Sequence, residues 1–318
     1  MITEDTLNRL RGVMVGAAAG DALGMPLEFG PATPLTGLVR EMQPGRMEAG
    51  TFTDDTEMAL ALAESLLAHR PLDGDDLALR FAGWYRSNPP DIGVHTANVL
   101  RRVALGQHWS DAAADVQRRN PASASNGSIM RCWPAAVAWW NQPGWLAADS
   151  ALQSRVTHPH AECVAGSVFI NTVISLLIAG YAPQEAVQSA LRQVEMPDGL
   201  RKAIQAAPGR ERVELVNSGW VRHTLESAVW GLLTSFSFEE AVVRVANLGN
   251  DADTAACVAG ALAGAAYGLE SIPAQWQAAL HGEYPRGSGQ LWQVENLVQL
   301  ADQLVGISKG EGSAAMTS

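Results

Sequence analysis

Two short acidic segments carry the residues best suited to chemistry. The first is Thr53-Asp54-Asp55, and the second is Asp251-Ala252-Asp253-Thr254. Each offers two carboxylates and a threonine hydroxyl just before an apolar run typical of a helix, so each could simply be a helix cap. Two carboxylates are more than a cap requires, however, and their mutual repulsion is relieved when a cation lies between them.

The ligand types indicate which cation would bind. Neither segment places a His or Cys at ligand spacing, and all-oxygen ligand sets prefer hard cations such as Mg²⁺ or Mn²⁺ over Zn²⁺. The second segment also lacks the third acidic position and the glycine of an EF-hand calcium loop. Four carboxylates in one pocket would require about two divalent ions. The sequence therefore predicts a two-ion site, provided that folding brings the segments together.

Two glycine-rich helices are the elements that must position these segments. Glycine costs about 0.8–1.0 kcal/mol relative to alanine inside a helix, so its repetition implies the close approach of another helix. We predict that the two helices pack against each other. If they run antiparallel, Glu28, just beyond the first helix, lies beside Asp251 at the start of the second. The small residues recur every four positions: Gly12, Gly16, Gly20 and Gly24 in the first helix, and Ala252, Ala256, Gly260, Gly264 and Gly268 in the second.

Helical periodicity dominates the chain, and no alternating run predicts a sheet. We predict one large all-α domain over residues 1–306 and a disordered tail at 307–318. The most apolar stretch, residues 164–179, is interrupted by Asn171 and Ser175 and is shorter than the roughly 20 residues that a membrane span needs. It is therefore predicted to be a buried core helix.

The composition argues against several classes of partner. The 318 residues carry a formal net charge of -11, which repels nucleic-acid backbones and anionic membranes. The three cysteines (Cys132, Cys163 and Cys257) lie far apart, which argues against a disulfide framework or a zinc site. The N-terminus lacks the basic region of a signal peptide. We expect a cytoplasmic monomer with neither nucleic acid nor membrane as its main partner.

Five motifs occur in order along the chain. They are G-x-x-x-G-D-A-L-G-x-P-x-E at 16–28, G-T-x-T-D-D-T at 50–56, S-N-G-S-x-M-R at 125–131, T-H-P-H at 157–160 and G-N-D-A-D-T at 249–254. Each motif is weak alone. Together, from about Arg9 to about Gly268, they resemble the ADP-ribosylglycohydrolase family.

The resemblance implies a single orthogonal multi-helix domain with a binuclear Mg²⁺ or Mn²⁺ centre in a cleft. Glu28 would lie beside the ions, near the scissile ribose. Carried over by position, the metal ligands would be Thr53, Asp54, Asp55, Asp251, Asp253 and Thr254.

The same resemblance implies a substrate-binding turn formed by Ser125, Asn126, Gly127 and Ser128 along the diphosphate path. A glycine turn that opens a helix presents free backbone N–H groups to an anion, although an ordinary turn and cap would show the same residues. His158 would contact the ligand; its alternative is a purely structural hydrogen bond.

Asp91, in Pro-Pro-Asp-Ile-Gly at 89–93, matches one branch of the family. Its carboxylate would face a guanidinium or assist as a base, whereas a turn aspartate is the simpler alternative. Asp21 is predicted to be a buried structural carboxylate.

The resemblance thus implies a hydrolase that removes ADP-ribose from arginine side chains of a modified protein and releases ADP-ribose. The catalytic candidates are Glu28, Asp54, Asp55 and Asp91, and which carboxylate acts as the base stays open. The alternatives are an ADP-ribosyl-serine or O-acetyl-ADP-ribose hydrolase, a catalytically silent ADP-ribose binder, and an immunity protein that counters a toxin's ADP-ribosylation.

Overall fold

The structure is a computed structural model that describes residues 2–311 and the side chains of residues 2–306. This part of the chain forms fifteen α-helices and one small antiparallel hairpin, β1 (Gly282–Glu283) and β2 (Leu291–Trp292). The helices are α1 (Glu4–Gly24), α2 (Asp54–Ala68), α3 (Gly74–Arg86), α4 (Val94–Ala104), α5 (Trp109–Arg119), α6 (Trp133–Ala138), α7 (Pro143–Arg155), α8 (Ala161–Ile178), α9 (Pro183–Gln193), α10 (Asp198–Ala206), α11 (Val221–Leu233), α12 (Phe238–Ala246), α13 (Ala252–Tyr267), α14 (Ala274–Ala279) and α15 (Val294–Glu311). Single 3₁₀ turns lie at Met25–Leu27, Leu35–Gly37, Ala207–Gly209, Arg212–Glu214 and Leu269–Ser271.

The predicted all-α fold is confirmed. The sequence does not predict the hairpin, because strands of two residues are too short to show an alternating pattern. Helix α15 extends to Glu311, so its backbone includes residues 307–311 of the predicted tail. The rest of that tail, 312–318, lies outside the described residues, and the domain boundary at 306 stays a prediction.

The centre of the fold is the antiparallel pair α1 and α13. Helix α13 is buried along almost its whole length, and α1 is buried from Leu10 onwards apart from Arg11. A Cβ atom added at Gly16 would lie 2.5 Å from the carbonyl oxygen of Gly260, and one at Gly20 only 2.0 Å from that of Ala256. No side chain fits between backbones this close, which explains the four-residue spacing. The predicted packing of the two glycine-rich helices is confirmed.

This packing joins the end of α1 to the start of α13. A Cβ at Gly24 would lie 2.4 Å from the Cα atom of Asp253. Just beyond α1, the backbone N–H of Phe29 donates to the carbonyl of Asn250 at 2.7 Å. The segment that contains Glu28 is therefore fixed beside the second acidic segment, as the antiparallel arrangement predicts.

Helix α8 contains the most apolar stretch of the chain. By length and composition alone it could cross a membrane, but 67% of it is buried inside the fold, as in the core helix of a globular protein. Its polar interruption Asn171 is buried and donates hydrogen bonds to the carbonyl of Cys132 and the hydroxyl of Ser150. Cys132, Cys163 and Cys257 are free and buried.

Candidate active site

The two acidic segments meet at the starts of α2 and α13. Thr254 Oγ1 donates a hydrogen bond to Asp55 Oδ1 across 3.2 Å. Helix α1 organises this meeting, because Asp21 within it accepts hydrogen bonds from the backbone and the hydroxyl of both Thr53 and Thr56. Asp21 is therefore the buried structural carboxylate that the sequence predicts, and it holds the start of α2 against the central helix.

Neither N-cap residue caps its helix with its side chain. Thr53 precedes α2, but its hydroxyl donates to Asp21 Oδ1 at 2.8 Å instead. Asp251 precedes α13, and its Oδ2 accepts a hydrogen bond from Asn126 Nδ2 at 2.7 Å. Helix capping alone therefore does not account for these two acidic segments.

A second group of carboxylates lies against the start of α13. Oxygen atoms of Glu28, Asp91 and Asp253 all lie within 4.8 Å of one another. Glu28 reaches this point from the turn after α1, and Asp91 from the loop before α4. The structure thus brings Glu28 and Asp91, two of the four predicted catalytic candidates, to the acidic site.

Arg46 lies at the centre of this second group, and the sequence does not predict its role. Its guanidinium forms ion pairs with Glu28 and Asp91, and its Nη2 atom lies 3.0 Å from Asp253 Oδ2. Arg46 belongs to a loop whose sequence shows turn residues and one isolated arginine, which is a common surface pattern. The local sequence alone carries no signal that this arginine pairs with three acidic residues of the site.

Burial makes the ionised form of these carboxylates unfavourable. Burial first, and neighbouring carboxylates second, raise the pKa of Asp54, Asp55 and Asp253 well above the ordinary aspartate value. Burial, assisted by Asp91, raises the pKa of Glu28 to about 7. Burial also raises the pKa of Asp91, although Arg46 opposes this effect. A divalent cation bound between these carboxylates would stabilise their ionised form.

The donor atoms fit such a cation. Oδ2 of Asp55 is buried and has no hydrogen-bond partner among the described residues. Buried polar atoms without a partner are uncommon in folded proteins, and a bound ion can satisfy such an atom. The hydroxyl of Thr53 donates its hydrogen bond to Asp21, so the lone pairs of the hydroxyl oxygen are available to bind a cation. Carboxylate and hydroxyl oxygens together form a ligand set for Mg²⁺ or Mn²⁺.

One cavity of about 1020 Å³ joins the acidic residues to the Ser-Asn-Gly turn. This volume suits a nucleotide-sized ligand. Of the predicted site residues, the cavity is lined by Glu28, Asp54, Asp55, Asp91, Asp251, Asp253 and Thr254 at one end and by Ser125, Asn126, Gly127 and His158 beside them. Thr53 and Ser128 lie behind this wall. The Ser128 hydroxyl is buried and accepts a hydrogen bond from Ser154 Oγ at 3.0 Å, so its side chain does not reach the cavity surface.

The Ser-Asn-Gly turn differs from the predicted geometry in one respect. The prediction that Gly127 opens a helix is wrong, since residues 127–131 form turns and α6 begins at Trp133. The carbonyl of Asn126 accepts hydrogen bonds from the N–H groups of Ile129 and Met130, which closes a turn. Pro134, in the first turn of α6, favours a helix start at that later point. No helix N-terminus therefore faces the ligand from this segment.

Asn126 and Gly127 have different roles within the turn. Nδ2 of Asn126 donates to Asp251 Oδ2 at 2.7 Å and to Thr224 Oγ1 at 2.9 Å, which uses both amide hydrogens. The side chain of Asn126 therefore orients a predicted metal ligand. Gly127 allows close packing, because a Cβ atom there would lie 2.8 Å from His158 Cε1.

His158 is buried beside this turn, with Nε2 3.0 Å from Ser125 Oγ. Burial first, then His95 and Arg131, hold the pKa of His158 well below the ordinary histidine value. The imidazole is therefore neutral at physiological pH, and it contributes hydrogen bonds rather than charge to the cavity wall.

Comparison with known families identifies the class to which the chain belongs. The family model described as ADP-ribosylglycohydrolase matches residues 2–314, which is nearly the entire chain. The chain therefore belongs to the ADP-ribosylglycohydrolase family, which confirms the resemblance seen in the five motifs, and it is a hydrolase of that class.

Similar proteins with assigned names fall in the same class. ADP-ribosylarginine hydrolase Tri1 of Serratia proteamaculans is 33% identical over 313 residues, which cover 94% of this chain and 80% of the relative. The ADP-ribosyl-(dinitrogen reductase) glycohydrolase of Rhodospirillum rubrum is 32% identical over 300 residues, covering 92% and 97%. A solved structure titled "ADP-ribosylglycohydrolase-related protein complex" superposes with a TM-score of 0.80 at 32% identity, covering 96% of this chain and 100% of the other.

Proposed function

We propose that this enzyme removes ADP-ribose from arginine side chains of a protein, with two Mg²⁺ or Mn²⁺ ions as cofactor. One observation carries the arginine linkage: Glu28 and Asp91 together bind the guanidinium of Arg46 at the acidic end of the cavity. Carboxylates placed to pair with one guanidinium are complementary to another. The relative named ADP-ribosylarginine hydrolase supports the same linkage.

The ions would be held by Thr53, Asp54, Asp55, Asp251, Asp253 and Thr254. When bound, two divalent ions orient ribose hydroxyls and lower the pKa of water. Hydrogen bonds with other residues hold three of these metal ligands in position. Asn126 holds Asp251, Thr254 holds Asp55, and Asp21 holds Thr53.

The bond to be broken joins the anomeric carbon of the distal ribose to a guanidinium nitrogen. Its hydrolysis adds hydroxide to the carbon and a proton to the nitrogen, through an oxocarbenium-like state. Asp91 would face the guanidinium of the substrate. Glu28 would accept a proton from the attacking water, because a pKa of about 7 suits a general base near neutral pH. Asp54 is the other carboxylate at this end that could take that role.

The test measures free ADP-ribose released from arginine-linked and serine-linked ADP-ribosylated proteins, with Mg²⁺ or Mn²⁺ and again with EDTA. We expect metal-dependent release from the arginine-linked protein. Asp91→Asn should lower that rate by about 100-fold, whereas Asp111→Asn, an exposed aspartate on α5, should not. Release from the serine-linked protein alone would refute the arginine linkage. ADP-ribose binding without release from either protein would instead indicate a silent binding module.

A further inference from the structure

A chain of hydrogen bonds runs from the protein core to the cavity wall. Nη2 of Arg131 lies 2.7 Å from Thr157 Oγ1, which in turn lies 2.7 Å from His158 Nδ1. On the other side of the imidazole, His158 Nε2 lies 3.0 Å from Ser125 Oγ. Arg131, Thr157 and His158 are fully buried, whereas Ser125 lines the cavity. These hydrogen bonds connect the buried guanidinium of Arg131 to the hydroxyl of Ser125, which a ligand in the cavity would contact.

Arg131 sets the direction of these hydrogen bonds. A guanidinium can only donate. Burial lowers the pKa of Arg131 to about 9, so the side chain is still protonated at neutral pH. Oγ1 of Thr157 must therefore accept from Arg131, and the acceptor within reach of its own proton is Nδ1 of His158.

The direction at Thr157 determines the tautomer of His158. A neutral imidazole carries one proton and one lone pair. Because Nδ1 accepts from Thr157, the proton lies on Nε2 and is donated to Ser125 Oγ. The opposite tautomer would leave the buried hydroxyl proton of Thr157 without an acceptor. It would also direct an N–H group towards the positive charge of Arg131.

We propose that Arg131 and Thr157 are positioning residues that hold His158 as the Nε2–H tautomer and so make Ser125 a hydrogen-bond donor to the diphosphate of the ligand. Ser125 Oγ accepts from His158, which leaves its own proton free for an acceptor in the cavity, and phosphate oxygens are strong acceptors. The identity of the ligand rests on the proposed function, whereas the tautomer does not.

Further contacts of Arg131 and Thr157 hold these hydrogen-bonded side chains in position. The guanidinium of Arg131 lies over the ring of Phe81, with Cζ 4.3 Å from the ring centroid. It also donates to the carbonyl of Gln153 at 3.1 Å. Nε2 of His95 lies 2.9 Å from the carbonyl of Thr157, so that ring donates to the same residue. Each partner is neutral, and none of them competes for the proton that Thr157 gives to His158.

The ¹⁵N spectrum of the histidine side chains tests the tautomer in the intact protein. Protonated and unprotonated ring nitrogens have well-separated chemical shifts, and the His158 signals can be assigned by their loss in His158→Gln. We expect Nε2 of His158 to be protonated and Nδ1 to be unprotonated in the wild-type protein. Thr157→Val, which keeps the shape but removes the hydroxyl, should abolish this pattern, whereas Thr157→Ser should retain it.

Calorimetric titration with ADP-ribose and Mg²⁺ tests the consequence for binding. Thr157→Val should raise the dissociation constant about fivefold, the effect of one hydrogen bond, and Thr157→Ser should leave it near the wild-type value. In a Ser125→Ala background, Thr157→Val should have no further effect, because both changes act through the same donor.

A wild-type spectrum with the proton on Nδ1 of His158 would overturn the proposal, and this result does not depend on the folding of any Thr157 or Ser125 variant. Additive effects of Thr157→Val and Ser125→Ala would overturn it as well. If the wild-type protein does not bind ADP-ribose, the proposed function fails, but the spectrum still decides the tautomer.

Discussion

Thr254 donates a hydrogen bond to Asp55 although 199 positions of sequence separate the two residues. Asp55 lies in the first turn of α2 and Thr254 in the first turn of α13, and α1 packs against both helices. The distance between the acidic segments is therefore set by the buried core rather than by loops. Ligands carried by packed helices hold a metal site more accurately than ligands carried by loops.

Asp55→Asn and Asp253→Asn should each abolish metal-dependent release of ADP-ribose while the helical fold is retained. Both changes preserve the shape of the side chain but remove a buried charge that faces the proposed ions. Circular dichroism checks the fold, and calorimetric titration with Mn²⁺ checks the loss of the metal. Asp111→Asn serves as the exposed control. Wild-type turnover in either site variant would remove the metal assignment.

Arg46→Ala should tighten Mn²⁺ binding and lower the thermal stability of the metal-free protein. In the wild-type protein the guanidinium of Arg46 neutralises Glu28 and Asp91. Its positive charge would repel a metal ion bound at the acidic end of the cavity. At a separation of about 4 Å and an effective dielectric constant of 20, unit charges interact by about 4 kcal/mol, so a change of tenfold or more in affinity is expected. Calorimetric titration measures the affinity.

The control for Arg46 is Arg40→Ala, which removes an exposed arginine paired with Glu239. It should change neither the Mn²⁺ affinity nor the stability by a comparable amount, because exposed ion pairs contribute little. Weaker Mn²⁺ binding in Arg46→Ala would show that the guanidinium supports the ions instead of opposing them.

Gly20→Ala should destabilise the protein by about 1–3 kcal/mol or more, because the added Cβ overlaps the carbonyl of Ala256 and the two central helices must move apart. Gly83→Ala offers a matched control, since a Cβ there meets nothing within 4 Å. On the exposed face of α3, that change should stabilise by about 0.5–1 kcal/mol through helix propensity. Denaturant unfolding measures both variants, and equal effects would contradict the close-packing account.

The neutral state of His158 predicts a pH dependence of stability. In the unfolded chain its pKa returns to about 6.5, whereas burial holds it well below that value in the folded protein. The unfolded state then binds a proton that the folded state does not. The contribution of His158 is complete above pH 6.5 and is lost as the pH falls, by up to about 1.4 kcal/mol per pH unit.

Denaturant unfolding of the wild type and of His158→Gln at pH 7.5 and pH 5.5 isolates this contribution. The wild-type protein should lose more stability than the variant over this interval, since only the wild type must keep that imidazole neutral. Parallel losses in the two proteins would show that His158 accepts a proton in the folded state.

Much of this arrangement could be predicted from local patterns. The four-residue spacing from Gly12 to Gly24 reports close helix packing, because glycine inside a helix needs a compensating contact. The acidic segments are visible because each concentrates more charge than a helix cap uses. These features are encoded within one or two turns of helix, where the sequence can be interpreted directly.

The rest depends on contacts between distant segments. In the sequence, Arg46 resembles any other loop arginine. Only the folded structure shows that it forms ion pairs with Glu28 and Asp91. Likewise, the family resemblance implies that Asn126 lines the diphosphate path, but the sequence does not reveal that its amide donates to Asp251, which lies 125 positions away. The predicted helix start at Gly127 is wrong because the carbonyl of Asn126 closes a turn there, a detail that composition does not reveal.

The central pairing of α1 with α13 also bears on how the enzyme is made. During synthesis, the first acidic segment leaves the ribosome long before the second. At about 5–20 residues per second, the 199 residues between Asp55 and Thr254 require about 10–40 s of translation. Throughout that interval the nascent α1 has no partner for its glycine face. A ribosome-bound chain that stops before residue 251 should therefore lack the pairing of α1 with α13 and the second acidic segment of the proposed metal site.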